Sequence, residues 1–376
     1  MTLPALLSKS LSVTGLSPGT LSLSRYVAQK LTCSRDPRIA ADQMRELIAR
    51  QHFDWIVVAD DALFRALIES GERESLRGWF PVDPARDDIL AFVTSKHEFA
   101  LRAAEFGIPV PESRLFTLIS ECVEHASTLG YPIITKGPHG FSGAEVSVAA
   151  CESELRSACE KMLERYGKVL LQRFVCGASA SAAVLYERGK PVAYKAYLTE
   201  CQYPSEHSAA TVHRPLRHAS VEPIVSAIGA ATGFNGMAGI DFVLENETDR
   251  LFAIEINPRP TSAFSGLRAD RAFFAPAVAR FLRGDSEAVE RFDKGDAPQA
   301  YFPDYAFYFL DRANKSTADS YRHLRTALGE SAGAELPIVA WATARYAYDR
   351  VGRFAPRLRS WLDSRRRVRD SSPRTD

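Results

Sequence analysis

Residues 236–260, GMAGIDFVLENETDRLFAIEINPRP, contain two apolar runs, Ile240 to Leu244 and Leu251 to Ile256, on either side of the polar segment Glu245 to Arg250. This is the pattern of a β-hairpin. A turn centred on Thr248 sets Asp241 opposite Glu255, and the two-residue period of a strand puts Asn257 and Arg259 on the same face. Two carboxylates, an amide oxygen and a guanidinium then converge. Like charges a few ångströms apart each disfavour ionisation, and a hard divalent cation relieves that conflict. Oxygen-only ligands favour magnesium or manganese over zinc, so Asp241, Glu255 and Asn257 are the candidate metal ligands. Arg259 is wrong for a metal and right for a phosphate, which its planar fork can hold at two points.

A surface hairpin with solvated charges would also fit a lone acid. Here, however, Asp241 lies within an apolar run, and Glu255 and Asn257 alternate with Ile254, Ile256 and Pro258. Acidic groups are rarely buried unpaired, so these positions point to a cleft with chemistry in it.

Working outward, the 376 residues exceed one ordinary core and imply roughly two or three domains. A formal net charge of +1 argues against nucleic acid or any other polyanionic partner. Six cysteines with no CxxC pair fit a reducing compartment, and no apolar run is long enough for a membrane helix. The start, MTLPALLSKSLSVTG, is too broken by serine for a signal peptide, so cytoplasm is the default.

In the N-terminal region, a strand at Leu11 to Thr14, a glycine turn and a helix from Leu21 to Lys30 read as the first unit of a Rossmann-like layer. Residues 36 to 50 form a helix capped by Asp36, and Trp55 to Ala59 reads as a buried parallel strand. Asp60 and Asp61 follow as helix N-caps. From Thr94 a helix runs to Glu105, then come a helix from Ile119 to Leu129, a strand from Tyr131 to Lys136, a glycine-rich loop at 137–144 and a returning strand from Glu145 to Ala149. Uncovered backbone N–H groups in such a loop suit phosphates. A helix from Glu152 to Tyr166, strands at Val169 to Val175, Ser179 to Tyr186 and Pro191 to Tyr197, and a helix from Val221 to Thr232 complete the approach to the hairpin. His207 and His213 are expected in a polar loop. After Pro260, Asp270 to Arg283 reads as a helix, Tyr301 to Leu310 as a strand and Thr317 to Leu328 as a helix. The last 32 residues, 345–376, hold ten arginines against four aspartates. A C-terminal helix packed on the body with a solvated Arg-rich end is preferred there over contact with a membrane or partner.

Taken together, Lys96, Lys136 with its glycine loop, Leu170-Leu171-Gln172-Arg173-Phe174-Val175, and Asp241 with Glu255-Ile256-Asn257-Pro258-Arg259 resemble the ATP-grasp superfamily in order and spacing over about residues 90 to 285. The resemblance implies an α/β and α+β architecture: a Rossmann-like pre-ATP-grasp domain (1–88), a two-subdomain ATP-grasp fold (89–285, lid about 131–197) and a C-terminal helical extension (286–376). It implies ATP and Mg2+ (or Mn2+) as cofactors. Lys96 and Lys136 would contact the phosphates, residues 137–144 with Gly140, Ser142 and Gly143 would close over them, and Gln172, Phe174 and Val175 would meet adenine. Asp241, Glu255 and Asn257 would hold magnesium, while Arg259 with Lys136 would act in catalysis.

The chain departs from the family pattern in three places. The first domain is about one strand–helix unit short, Gly137 separates Lys136 from Pro138, and Ala178-Ser179-Ala180-Ser181 stand where an acid is common.

The implied activity joins a small-molecule carboxylate, activated as an acyl phosphate, to an amine. A small-molecule kinase and a non-catalytic nucleotide-binding protein are the alternatives, and a homodimer is compatible with each. Arg214 and Arg268 are candidates for cations facing Arg259.

Overall fold

The computed structural model describes residues 3–300 apart from 20, 22–23, 72, 139–144, 203–209, 262–263, 265–267, 286–287 and 293–298. The expected strand at 301–310, helix at 317–328 and Arg-rich tail lie outside the described residues, as do His207 and the tip of the glycine loop.

The N-terminal region begins with helix α1 (Leu3–Leu7), followed by strands β1 (Thr14–Ser17) and β2 (Gln29–Thr32), which pair in parallel. Thus Gln29 and Lys30, expected at the end of a helix, belong to a strand instead. Its sequence, QKLT, lies largely exposed and carries no alternation that could have announced it. Helix α2 (Pro37–Arg50) starts where its cap predicts, with the Asp36 carboxylate accepting from the N–H groups of Arg38 and Ile39. Residues 51–60 form no strand, so the expected parallel strand at Trp55–Ala59 is corrected. Its apolar character has another cause: Ile56 and Val58 pack on the main core, and the Trp55 ring lies 5.0 Å from that of Phe281. Helix α3 (Asp61–Glu69) follows, then α4 (Asp87–Thr94) and α5 (Lys96–Arg102), the last capped by the Ser95 hydroxyl.

A four-stranded antiparallel sheet comes next. Strands β3 (Ser113–Phe116), β4 (Ile133–Lys136), β5 (Val146–Ala149) and β6 (Val169–Arg173) lie in the order β3-β6-β4-β5, and helices α6 (Ile119–Leu129) and α7 (Glu152–Tyr166) cover one face. This unit has its own core, built on Phe116, Ile133, Leu155, Met162 and Leu171.

The larger sheet contains β7 (Gly177–Glu187), β8 (Lys190–Gln202), β9 (Ala210–Pro215), β10 (Gly236–Glu245) and β11 (Leu251–Asn257) in the order β11-β10-β7-β8-β9. The expected lid at about 131–197 includes β7 and part of β8, yet both strands pair in this sheet, because their long apolar runs are buried on both faces. On one side lies the main core with α4, α5 and α8 (Val221–Thr232); on the other lie α1 and α9 (Arg268–Arg283). A buried ion pair, Lys195 to Asp270 at 2.7 Å, ties β8 to the first turn of α9. Helix α8 and the β7–β8 turn meet through two glycines. A Cβ on Gly229 would lie 2.2 Å from the Gly189 carbonyl oxygen, and Gly189 has φ +83°. No helix among the described residues is long and apolar enough to cross a membrane.

Candidate active site

The hairpin β10–β11 pairs Asp241 with Glu255 and Gly239 with Asn257. The pairing reaches this register by a route that the sequence hides. Leu244 faces Leu251, so the turn is centred one half-residue before Thr248, and a bulge at Ile254 then restores the Asp241–Glu255 alignment. Bulges that re-aim side chains are common beside functional sites.

These residues line a cleft of about 700 Å3 between the two sheets. Lys96, at the first turn of α5, forms an ion pair with Glu255 and is nearly buried. Lys136, at the end of β4, reaches the same cleft and is 5% exposed. Its placement is fixed from behind, since buried His97 Nε2 donates to the Lys136 carbonyl at 2.8 Å and Lys96 N donates to Pro138 O at 2.9 Å. The two lysines and two carboxylates therefore share one partly dry space. Burial above all, and Lys96 next, push Lys136 down to about 8, while Glu255 and Asp241 pull the other way. Burial and the neighbouring Glu255 raise Asp241 above the usual carboxylate range. Ser181 Oγ, which donates to Asp241 Oδ1 at 2.7 Å, Lys96, and Asn257 Nδ2, which donates to Oδ2 at 3.0 Å, partly offset that rise.

Among the described residues no group of three or more His, Cys, Asp or Glu forms a metal cage. The donor set fits a different kind of site. With its Nδ2 turned to Asp241, Asn257 keeps an amide oxygen beside two facing carboxylates, of which Asp241 is raised first by burial and then by Glu255. Magnesium is commonly bound through one or two carboxylates together with substrate phosphates, so these residues fit such an ion.

Arg259 projects into the cleft from the turn after β11, and its Nε donates to Asp61 Oδ1 at 2.5 Å. Burial opposes its charge, but the hydrogen bond and charge of Asp61 outweigh that and raise its pKa. Gln172, Phe174 and Val175 line the cleft on the small-sheet side, with Gln172 Nε2 donating to Ser113 Oγ at 2.8 Å. Gly140, Ser142 and Gly143 lie outside the described residues. Of the two cations expected to face Arg259, Arg214 instead pairs with Glu200 at 3.0 Å and is half exposed, and the Arg268 side chain is outside the described residues. His213 is corrected as well. It sits in β9, fully buried, with its ring stacked 3.8 Å from that of Tyr197, and burial and Lys195 hold it well below the usual histidine range. The alternation Thr211-Val212-His213-Arg214 is a strand pattern that the surrounding polar residues obscured.

Three contributors escaped the sequence reading. Ser181 was visible only as a missing acid, although it pairs across to Asp241 in the β7–β10 ladder. His97 acts through a backbone carbonyl, which leaves no motif. Asp61 reads with Asp60 as a helix cap from sequence, but only Asp60 caps, accepting from Leu63 N at 2.8 Å.

Two lysines, two carboxylates, an amide and an arginine around a cleft between a small and a large antiparallel sheet define an α/β nucleotide-handling class of fold. Residues 93–263 match the family model described as ATP-grasp domain, so this segment of the chain is an ATP-grasp domain. It is 26% identical over 179 residues to the carbamoyl phosphate synthase large chain, N-terminal section, of Methanopyrus kandleri, a match covering 44% of this chain and 31% of that one. It is 23% identical over 253 residues to a D-alanine–D-alanine ligase of Pseudomonas putida, covering 64% and 79% respectively. Among solved structures, N5-carboxyaminoimidazole synthetase from Staphylococcus aureus complexed with ADP superimposes with a TM-score of 0.62 at 15% identity, covering 83% of each chain. The chain thus spans about a third of the length of the carbamoyl phosphate synthase section.

Proposed function

We propose that this chain is an ATP-dependent ligase that activates a small-molecule carboxylate as an acyl phosphate for attack by an amine. The observation that carries the reading is the convergence of Lys96, Lys136, Asp241, Glu255, Asn257 and Arg259 on one cleft. When bound, Mg-ATP supplies the phosphoryl group, and the protein's part is positioning and charge neutralisation. In this reading Asp241, Glu255 and the Asn257 amide oxygen hold the cation. Lys96 and Lys136 bind phosphate oxygens, and Phe174 and Val175, just past the end of β6, offer an apolar surface to the base. Arg259 offers its fork to charge that develops during transfer. The division at about residues 88 and 285 belongs to the same proposal.

The D-alanine–D-alanine ligase among the relatives supports a carboxylate and an amine as the groups joined. Substrate identity is set by loops, so a screen of carboxylates paired with amines for ADP release, followed by mass spectrometry of the product, tests the reading. A dipeptide or amide product is expected. Accumulation of a stable phosphate ester with no need for an amine would replace the ligase with a kinase, and ATP binding without turnover would make it a nucleotide-binding protein.

A further inference from the structure

The geometry points to Asp61, the first residue of α3 in the N-terminal region, as a positioning residue that holds the Arg259 guanidinium in the cleft. The inference rests on the ligase reading above, in which Arg259 meets the transferring phosphoryl group.

Both partners are fixed by what surrounds them. Asp60 caps α3 through Leu63 N, and Phe64, one turn in, is buried with its ring 5.1 Å from that of Phe80. Asp61 is therefore presented by an anchored helix start, 198 positions from its partner in the chain. On the other side, Arg259 stands between Pro258 and Pro260, and the residue before a proline is confined to extended backbone. Its remaining freedom is in the long side chain. Asp61 removes much of it by accepting from Nε at 2.5 Å, the nitrogen at the root of the fork. Nη1 has only a 3.4 Å contact with Pro260 O, and among the described residues no protein group engages Nη2. Arg259 lines the same cleft as the Asp241–Glu255 pair, and the charges of both carboxylates reach it.

A pair retained only for stability would gain little here, since both side chains are largely buried, at 22% and 24% exposed, and the cost of desolvating two charges offsets much of their attraction. A fork preset at the site of charge development gains more, because electrostatic stabilisation works best when no reorganisation is needed. It follows that the N-terminal region completes the site.

The test is a double-mutant cycle in the full chain: Asp61→Ala, Arg259→Ala and the double variant, with Asp61→Asn as the isosteric control. Asp61→Ala should lower kcat for ADP release by roughly 10- to 100-fold, with KM for ATP near wild type. Asp61→Asn, whose amide oxygen can still accept from Nε, should retain more activity. In the Arg259→Ala background, Asp61→Ala should cost nothing further. An equal loss in both backgrounds would make Asp61 merely structural, and a gain in kcat would make the pair a brake; either overturns the proposal. If Asp61→Ala fails to fold by circular dichroism, Asp61→Asn carries the same cycle, with a smaller loss expected only where Arg259 is present. A wild type inert with every acid would sink the ligase reading alone. The cycle is then read calorimetrically as the preference for ATP over ADP, which Asp61→Ala should reduce about three- to tenfold, and only where Arg259 is present. An unchanged preference would overturn the positioning role.

Discussion

Replacing Glu255 with Gln alters one atom type at the centre of the site and separates charge from shape. The side chain is 29% exposed, and the amide oxygen of Gln can still accept from Lys96, so the fold should survive with a loss of about 1 kcal/mol or less. Function should respond far more. Glu255 is one of only two facing carboxylates in the register, so the substitution halves the formal negative charge available to a cation there. It also shifts the neighbours. Asp241 loses the repulsion that helps to raise it, and Lys136 loses one of the charges that keep it protonated. Removing one preorganised electrostatic contact to developing charge typically costs about 3 to 4 kcal/mol, or roughly 10² to 10³ in kcat. ADP release at saturating magnesium measures the rate, and circular dichroism with thermal melting checks the fold. A folded Glu255→Gln enzyme with kcat within about threefold of wild type would remove Glu255 from the cation site and refute the reasoning.

Contacts at Lys136, Arg259 and Gly229 carry further expected outcomes. Lys136 titrates near 8 rather than its ordinary 10.5, so between those values the folded chain holds fewer protons than the unfolded one and stability should rise with pH across that window. Nucleotide phosphates favour the charged lysine, so ATP binding near pH 8 should take up a proton, seen calorimetrically as an enthalpy that depends on the buffer's ionisation heat; Lys136→Met should abolish that dependence. Arg259→Lys should keep the charge but lose the fork and its grip on Asp61, lowering kcat at least about tenfold, and wild-type turnover would count against bidentate contact. Gly229→Ala should cost about 1 to 3 kcal/mol in thermal unfolding, because its methyl would press on the Gly189 carbonyl oxygen; an unchanged melting temperature would show that α8 can move away from the β7–β8 turn.

The sequence made most helices legible for a local reason. The α2 cap at Asp36 and the glycine stops after α6, α7 and α8 mark element ends without reference to the rest of the chain. The convergence of Asp241, Glu255 and Asn257 is legible because they lie on a single hairpin, where a period of two suffices. What failed was non-local. Trp55–Ala59 is apolar because it packs on α9 and the main core, a cause that hydropathy cannot distinguish from strand pairing. The bulge at Ile254 fixes the register but has no residue signature, and Asp61 acquires its role only through contact with a residue 198 positions away.

The central claim is that the cleft makes an acyl phosphate, and hydroxylamine tests it most directly. With ATP, magnesium, a carboxylate that stimulates ADP release and no amine, the enzyme should convert that carboxylate into its hydroxamate in proportion to the ADP formed. Glu255→Gln should form both roughly 10² to 10³ times more slowly. ADP release with no hydroxamate from any stimulating substrate, accompanied by a stable phosphate ester, would contradict the ligase account.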